Sequence, residues 1–290
     1  MYAISAPAER TPLSPHPFPF VMQLAIHIID AFTRQRFHGN QAAVVPLQAW
    51  LPDATLQAIA AENNLSETAY VVWNAAHDAY DIRWFSPLTE IDFCGHATLA
   101  TAYVLLQADP ASTRINFWAP AVGHVHAVRL HNGRIEMTFP RRDATPLPTP
   151  PAALVAGLTP APAGYWVNDQ AYMAVYATEA EVRVGVPDLK ALKTLGPRDV
   201  VVTAVADSGQ PYDFVSRYFW PANGGVEDPV TGSIHTALAP YWAEVLGKNT
   251  LVAHQASQRS GELFCEVTVD SVKVAGHCVP YLQGSITVDA

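Results

Sequence analysis

The 290-residue chain contains three cysteines, Cys94, Cys265 and Cys278, and no CxxC pair. This excludes a disulfide-stapled scaffold and fits a reducing cytoplasm, the expected location. Charge is sparse as well: 15% of residues are charged, with 17 basic against 26 acidic, for a formal net charge of -9. Such a shortage of cations argues against nucleic acid or an anionic membrane as a partner. It leaves room for a small anion held in a locally positive pocket. No apolar run approaches the roughly eighteen residues that span a bilayer, so a soluble protein is expected. The proline-rich segment over residues 1–21 has neither the basic start nor the apolar centre of a signal peptide, and is expected to be a simple extension. His-Glu-x-x-His, an acidic triplet, a P-loop and a strand-led GxGxxG are all missing. Neither a metal nor a cofactor is expected.

What is present is an apolar, strand-rich chain. Half the residues are hydrophobic, and the length exceeds that of a single ordinary core, so two domains are the natural division. Short β-branched or aromatic runs recur at 24–28, 70–73, 80–85 and 115–118, and again at 125–130, 135–139, 172–176, 200–206, 214–219 and 263–269. Four helices are expected. One covers 53–62, with Asp53 as its cap, and a weaker one covers 188–194. The other two, 97–106 and 231–246, are apolar or small on every side, as in helices enclosed by protein. Pro240 should kink or split the last. Prolines crowd 143–164, which reads as a linker or a long surface loop.

Both enclosed helices begin at a glycine-bearing segment. One is Cys94-Gly95-His96-Ala97-Thr98; the other is Glu227-Asp228-Pro229-Val230-Thr231-Gly232-Ser233. Unpaired amides and the helix dipole favour an anion at such starts. Two of them suggest two halves facing one ligand.

These segments, with Asp30-Ala31-Phe32-Thr33, the run from Gly39 and Asn40 to Val45, Asn64-Leu65-Ser66-Glu67-Thr68, Arg83-Trp84-Phe85-Ser86-Pro87 and Gln258-Arg259-Ser260-Gly261, occur in one order. In them the chain resembles the PhzF-like (phenazine-biosynthesis F) isomerase family, which shares its fold with diaminopimelate epimerase and proline racemase. The resemblance implies an α+β fold of two pseudo-symmetric domains, each a β-barrel-like sheet wrapped around a central helix, with the active site between them. It implies a first domain over 22–120 plus 276–290 and a second over 121–275, with the last strand, near 284–288, returning to the first. A homodimer is also implied.

For the site, the resemblance makes Glu67 the general base that takes a proton from carbon. Read alone, a glutamate at a strand edge is more often a cap or an ion-pair partner. His96 and Asp228 would move or orient protons, and Ser233 would lend its hydroxyl. Each also has an ordinary structural reading, as a satisfied core histidine or a turn-forming acid. Gly95, Gly232 and the amides around them would hold a carboxylate or an enolate oxygen. Asn40 would touch ligand, although Gly-Asn-Gln departs from the family's Gly-Asn-Pro. Two-thiol racemases of this fold carry a cysteine at each central helix; here Cys94 is matched by Thr231, which argues against that chemistry. Cys94 is either a reactive thiol at a helix start or a small buried apolar residue. Trp84, Trp118 and Trp220 are candidates for a ring-binding wall. The expectation is a cofactor-independent isomerase acting on a small carboxylate-bearing molecule. A binding protein without turnover, or a lyase using the same proton abstraction, are the alternatives.

Overall fold

Ala42, Ala43, Val44 and Val45 follow one another along the strand Asn40–Leu47 and are all fully buried. Side chains alternate across a sheet, so Ala42 and Val44 enter one core while Ala43 and Val45 enter another. The later half does the same: Val201 faces the first core, and Val200 and Val202 face a third. Because both faces are covered, the strand Asn40–Leu47 shows an unbroken apolar run instead of alternation, and the alternation pattern missed it.

The computed structural model describes residues 21–289; the extension expected over residues 1–21 lies, apart from Val21, outside them. The described residues form an α+β fold with six α-helices: α1 Asp53–Asn63, α2 Gly95–Ala108, α3 Ala152–Ala156, α4 Glu179–Val184, α5 Leu189–Leu192 and α6 His235–Leu246. Two of these were not expected. α3 lies inside the proline-rich stretch, which also holds the short strand Thr145–Pro146. α4 opens with a capping box, Thr178 and Glu181 satisfying each other's backbone amides. Pro52, not Asp53, precedes α1, and no side chain caps that helix.

The strand pairings repeat in order. Asn40–Leu47 runs parallel to Glu67–Asn74, which pairs antiparallel with Ala79–Phe85, and that strand runs parallel to Arg114–Ala119. Ala171–Val175, Asp199–Val205, Phe214–Phe219 and Thr250–Gln255 follow the same parallel, antiparallel, parallel sequence. The crossover between the last two strands of each set carries the enclosed helix, α2 in the first and α6 in the second. The chain's final strand, Cys278–Asp289, returns antiparallel to Val21–Ala31.

Enclosure explains the composition of both helices. α2 packs chiefly against Asn40–Leu47, Val21–Ala31 and Glu67–Asn74, with Ile135–Pro140 also against it, and eleven of its residues are buried. α6 buries Ala237, Ala239, Pro240 and Ala243, small or rigid side chains that let strands approach. Pro240 neither splits nor ends the helix. Its missing N–H would leave the Thr236 carbonyl unpaired, and the Arg142 amide donates to that oxygen at 3.2 Å instead.

Phe32 joins the halves at the core. It is fully buried with φ of 62°, in the left-handed region. A β-carbon on Gly276 would lie 2.4 Å from its ring, and one on Gly232 3.2 Å. Close by, Arg259 donates to the Gly39 carbonyl at 2.9 Å and to Asp30 at 2.8 Å. The Asp30, Gly39 and Arg259 segments thus hold the frame on which the strand Asn40–Leu47 begins.

Candidate active site

Glu67 is the first residue of its strand, Cys94 caps α2, and His96 sits in that helix's first turn. Asp228 ends the short strand Glu227–Asp228, pairing with Tyr218. Thr231, Gly232 and Ser233 form a turn ahead of α6, closed by i→i+3 bonds from His235 to Gly232 and from Thr236 to Ser233. The second helix therefore starts four residues later than its sequence pattern, and a tight turn presents its first amides.

These two helix starts meet at one cavity of about 260 Å³. Glu67, Cys94, Gly95 and His96 line it from one side, and Asp228, Thr231, Gly232 and Ser233 from the other. A β-carbon on Gly95 would lie 4.0 Å from the Ser233 amide nitrogen, so the missing side chain leaves open the gap between the two sets of amides. First-turn amides have no acceptor within their own helix, which makes this gap suited to a carboxylate or a developing oxyanion.

Asn40 is the exception among the expected site residues. It is fully buried and lies behind the cavity, not on its wall. Its Nδ2 donates to Asp228 Oδ1 at 2.8 Å and to the Val230 carbonyl at 2.9 Å, and stands 3.1 Å from His96 Nδ1. The two amide protons go to these two oxygens, since the nitrogens of an imidazolium accept none. Asn40 thus ties the first half to the second through Asp228 and Val230.

Glu67 Oε2 approaches His96 Nε2 at 3.0 Å. The separation is within ion-pair range, yet Oε2 is buried and has no well-aligned hydrogen bond. Burial opposes a charge on His96, but Cys94 and Glu67 beside it hold its pKa well above the usual imidazole value. The Cys94 thiol is pushed up to about 11, by burial first and then by Glu67. It is therefore a neutral thiol at physiological pH, 3.4 Å from His96 Nδ1, and Glu67 is the group that favours the imidazolium there. Burial also raises Asp228 to about 6, with Glu67 adding to the rise, while His96 and the hydrogen bonds from Thr231 and Asn40 oppose it.

The opposite wall holds residues that no motif announced. Gln170 Nε2 donates to Ser233 Oγ at 2.9 Å and to the Tyr218 hydroxyl at 3.1 Å. Tyr218 in turn donates to Asp199 Oδ2 at 2.7 Å, and Asn223 holds Oδ1 at 2.7 Å. Ser233 accepts from an amide, so its own proton is free to be given to a ligand. Of the three tryptophans considered, only Trp220 lines the cavity. Trp84 is buried against Thr98, and Trp118 stacks on His77. Gln170 and Asp199 come from strands and turns of ordinary composition, and only the register of neighbouring strands brings them here.

Glu67, Cys94 and His96 also place three possible metal-ligand atoms within 4.8 Å of one another. No metal motif marks them because the glutamate comes from a strand and the other two from the start of α2.

Two barrel-like halves closing on one cavity define the epimerase-like fold. A hydroxyproline epimerase from Agrobacterium vitis, 10% identical, shares this fold with a TM-score of 0.57, covering 92% of this chain and 93% of that one. Residues 29–284 match the family model described as phenazine biosynthesis-like protein, and the chain belongs to that PhzC/PhzF family. An uncharacterized isomerase from Pseudomonas aeruginosa is 46% identical over 266 residues, covering 91% of this chain and 99% of the relative. A PhzF-family crystal structure from Enterococcus faecalis is 39% identical with a TM-score of 0.85, covering 91% and 99%. The protein is an isomerase. No described helix is long and apolar enough to cross a membrane.

Proposed function

We propose that this isomerase relocates a proton on a small carboxylate-bearing substrate by cofactor-independent acid–base catalysis. The observation that carries this reading is Glu67: it lines a cavity whose far side offers amides and a hydroxyl proton, and its buried Oε2 has no directed hydrogen bond. Substrate carboxylate occupies the gap between Gly95 and Ser233. Glu67 takes the proton from the adjacent or vinylogous carbon, and the amides with Ser233 stabilise the delocalised anion. His96, held as imidazolium by Glu67, offsets the negative charge at the base and supplies a proton for return. Asp228, near half-protonated around pH 6, orients Thr231 and is a second proton source.

The test is deuterium uptake from heavy water by a panel of small amino and hydroxy acids, followed by NMR. Wild type labels its substrate at carbon, and Glu67→Gln should bind the same compound without labelling it. Undiminished labelling by Glu67→Gln rejects Glu67 as the base. The same spectra separate relocation of the proton from elimination of a leaving group.

A further inference from the structure

The arrangement of Glu67, Cys94 and His96 goes beyond acid–base chemistry. We propose that these three side chains form a zinc-type metal site at the floor of the cavity, at which a divalent ion of intermediate softness binds and blocks the enzyme. Carboxylate, thiolate and imidazole are the donor set zinc prefers, and three protein ligands with one open position is a common zinc geometry. All three residues are buried. Glu67 Oε2 has no directed hydrogen bond, so a metal would displace only its 3.0 Å ion-pair contact with His96.

The distances suit the ion. Tetrahedral zinc with bonds of about 2.0–2.3 Å keeps its ligand atoms roughly 3.3–3.6 Å apart. Here Glu67 Oε2 and His96 Nε2 are 3.0 Å apart, and Cys94 Sγ lies 4.0 Å from the same nitrogen. Side-chain movements of about half an ångström reach the coordinated arrangement. His96 and Cys94 are two residues apart at a helix start, so their backbones need not shift.

Binding exchanges protons for metal. The thiol proton of Cys94 and the imidazolium proton on Nε2 leave to the buffer as the metal–sulfur and metal–nitrogen bonds form, since a metal ion deprotonates its thiol and imidazole ligands. The fourth position opens toward the cavity. Occupancy withholds Glu67 from any substrate carbon, so metal and substrate compete.

The experiment uses chelator-stripped full-length protein and Co²⁺ as the optical probe, with Zn²⁺ as competitor. The expected result is one Co²⁺ per chain, with a thiolate-to-cobalt charge-transfer band that Zn²⁺ removes. The band should persist in the Cys265→Ala, Cys278→Ala double variant and vanish in Cys94→Ser. His96→Gln should weaken Co²⁺ binding at least about tenfold, with an unchanged circular dichroism spectrum in each variant compared. If Cys94→Ser fails to fold, His96→Gln carries the test. Absence of the band in wild type, its persistence in Cys94→Ser, or unweakened binding by His96→Gln overturns the proposal. The band requires no turnover, so this outcome is independent of whether Glu67→Gln abolishes deuterium labelling.

Discussion

Asn40 Nδ2 donates at 2.8 Å to Asp228 Oδ1, 188 residues further along the chain. With its second proton on the Val230 carbonyl, this one amide fixes the acid of the second half against the histidine of the first. Asn40→Ala leaves buried acceptors unpaired, and a loss of about 1–3 kcal/mol is expected in urea unfolding. Asn40→Asp should be worse, because it sets a carboxylate against Asp228. A variant as stable as wild type would show that the tie contributes nothing.

Gly95→Ala separates folding from chemistry. The added carbon would meet Phe93 at 3.8 Å and the Ser233 nitrogen at 4.0 Å, ordinary contact distances. The melting temperature should therefore stay within a few degrees of wild type. Deuterium labelling of the substrate should fall at least about tenfold, because the carbon sits where an anion would bridge the two helix starts. Full labelling would move the anion site elsewhere.

Asp228 predicts a pH signature in stability. Its folded pKa, about 6, lies above the 3.8 of an ordinary aspartate. The protonated form is thus the favoured one in the fold. Its stabilisation is complete below about pH 4 and is lost as pH rises through 6. Wild type should lose on the order of 2 kcal/mol relative to Asp228→Asn over that interval. Parallel unfolding profiles from pH 4 to 7 would contradict this.

Gln170 sets the direction of the hydroxyl protons on the far wall. Gln170→Leu removes the donor to both Ser233 and Tyr218, leaving the serine free to turn its proton away from the ligand. Labelling should fall roughly tenfold, and stability by about 1–2 kcal/mol. Gln170→Asn, with a shorter arm, should recover little. Labelling at the wild-type rate would make the contact purely structural.

Much of the frame was legible because strong local patterns coincide with tertiary ones. The two enclosed helices appear as runs without a polar face, since both are wrapped by strands. The alternating strands appear for the opposite reason. Asn40–Leu47 was recognisable only as a motif, because two cores leave no period to detect. Asn40 itself shows the limit of a motif: the motif marked the residue, and only the fold shows its side chain tying the two halves together. Gln170 and Asp199 had no signal, because a single polar residue in a turn or at a strand end looks like any other.

From sequence came the family, the two glycine-bearing helix starts, Glu67 as candidate base and the mismatch of Cys94 with Thr231. These are properties of residue type and order. Tertiary structure decided which groups touch: that burial keeps Cys94 a neutral thiol beside His96, that Glu67 Oε2 is left without a directed partner, and that Gln170 frees the Ser233 proton. Hydrogen-bond direction and burial depend on neighbours 29 to 190 residues away, and only the fold brings those neighbours to about 3 Å.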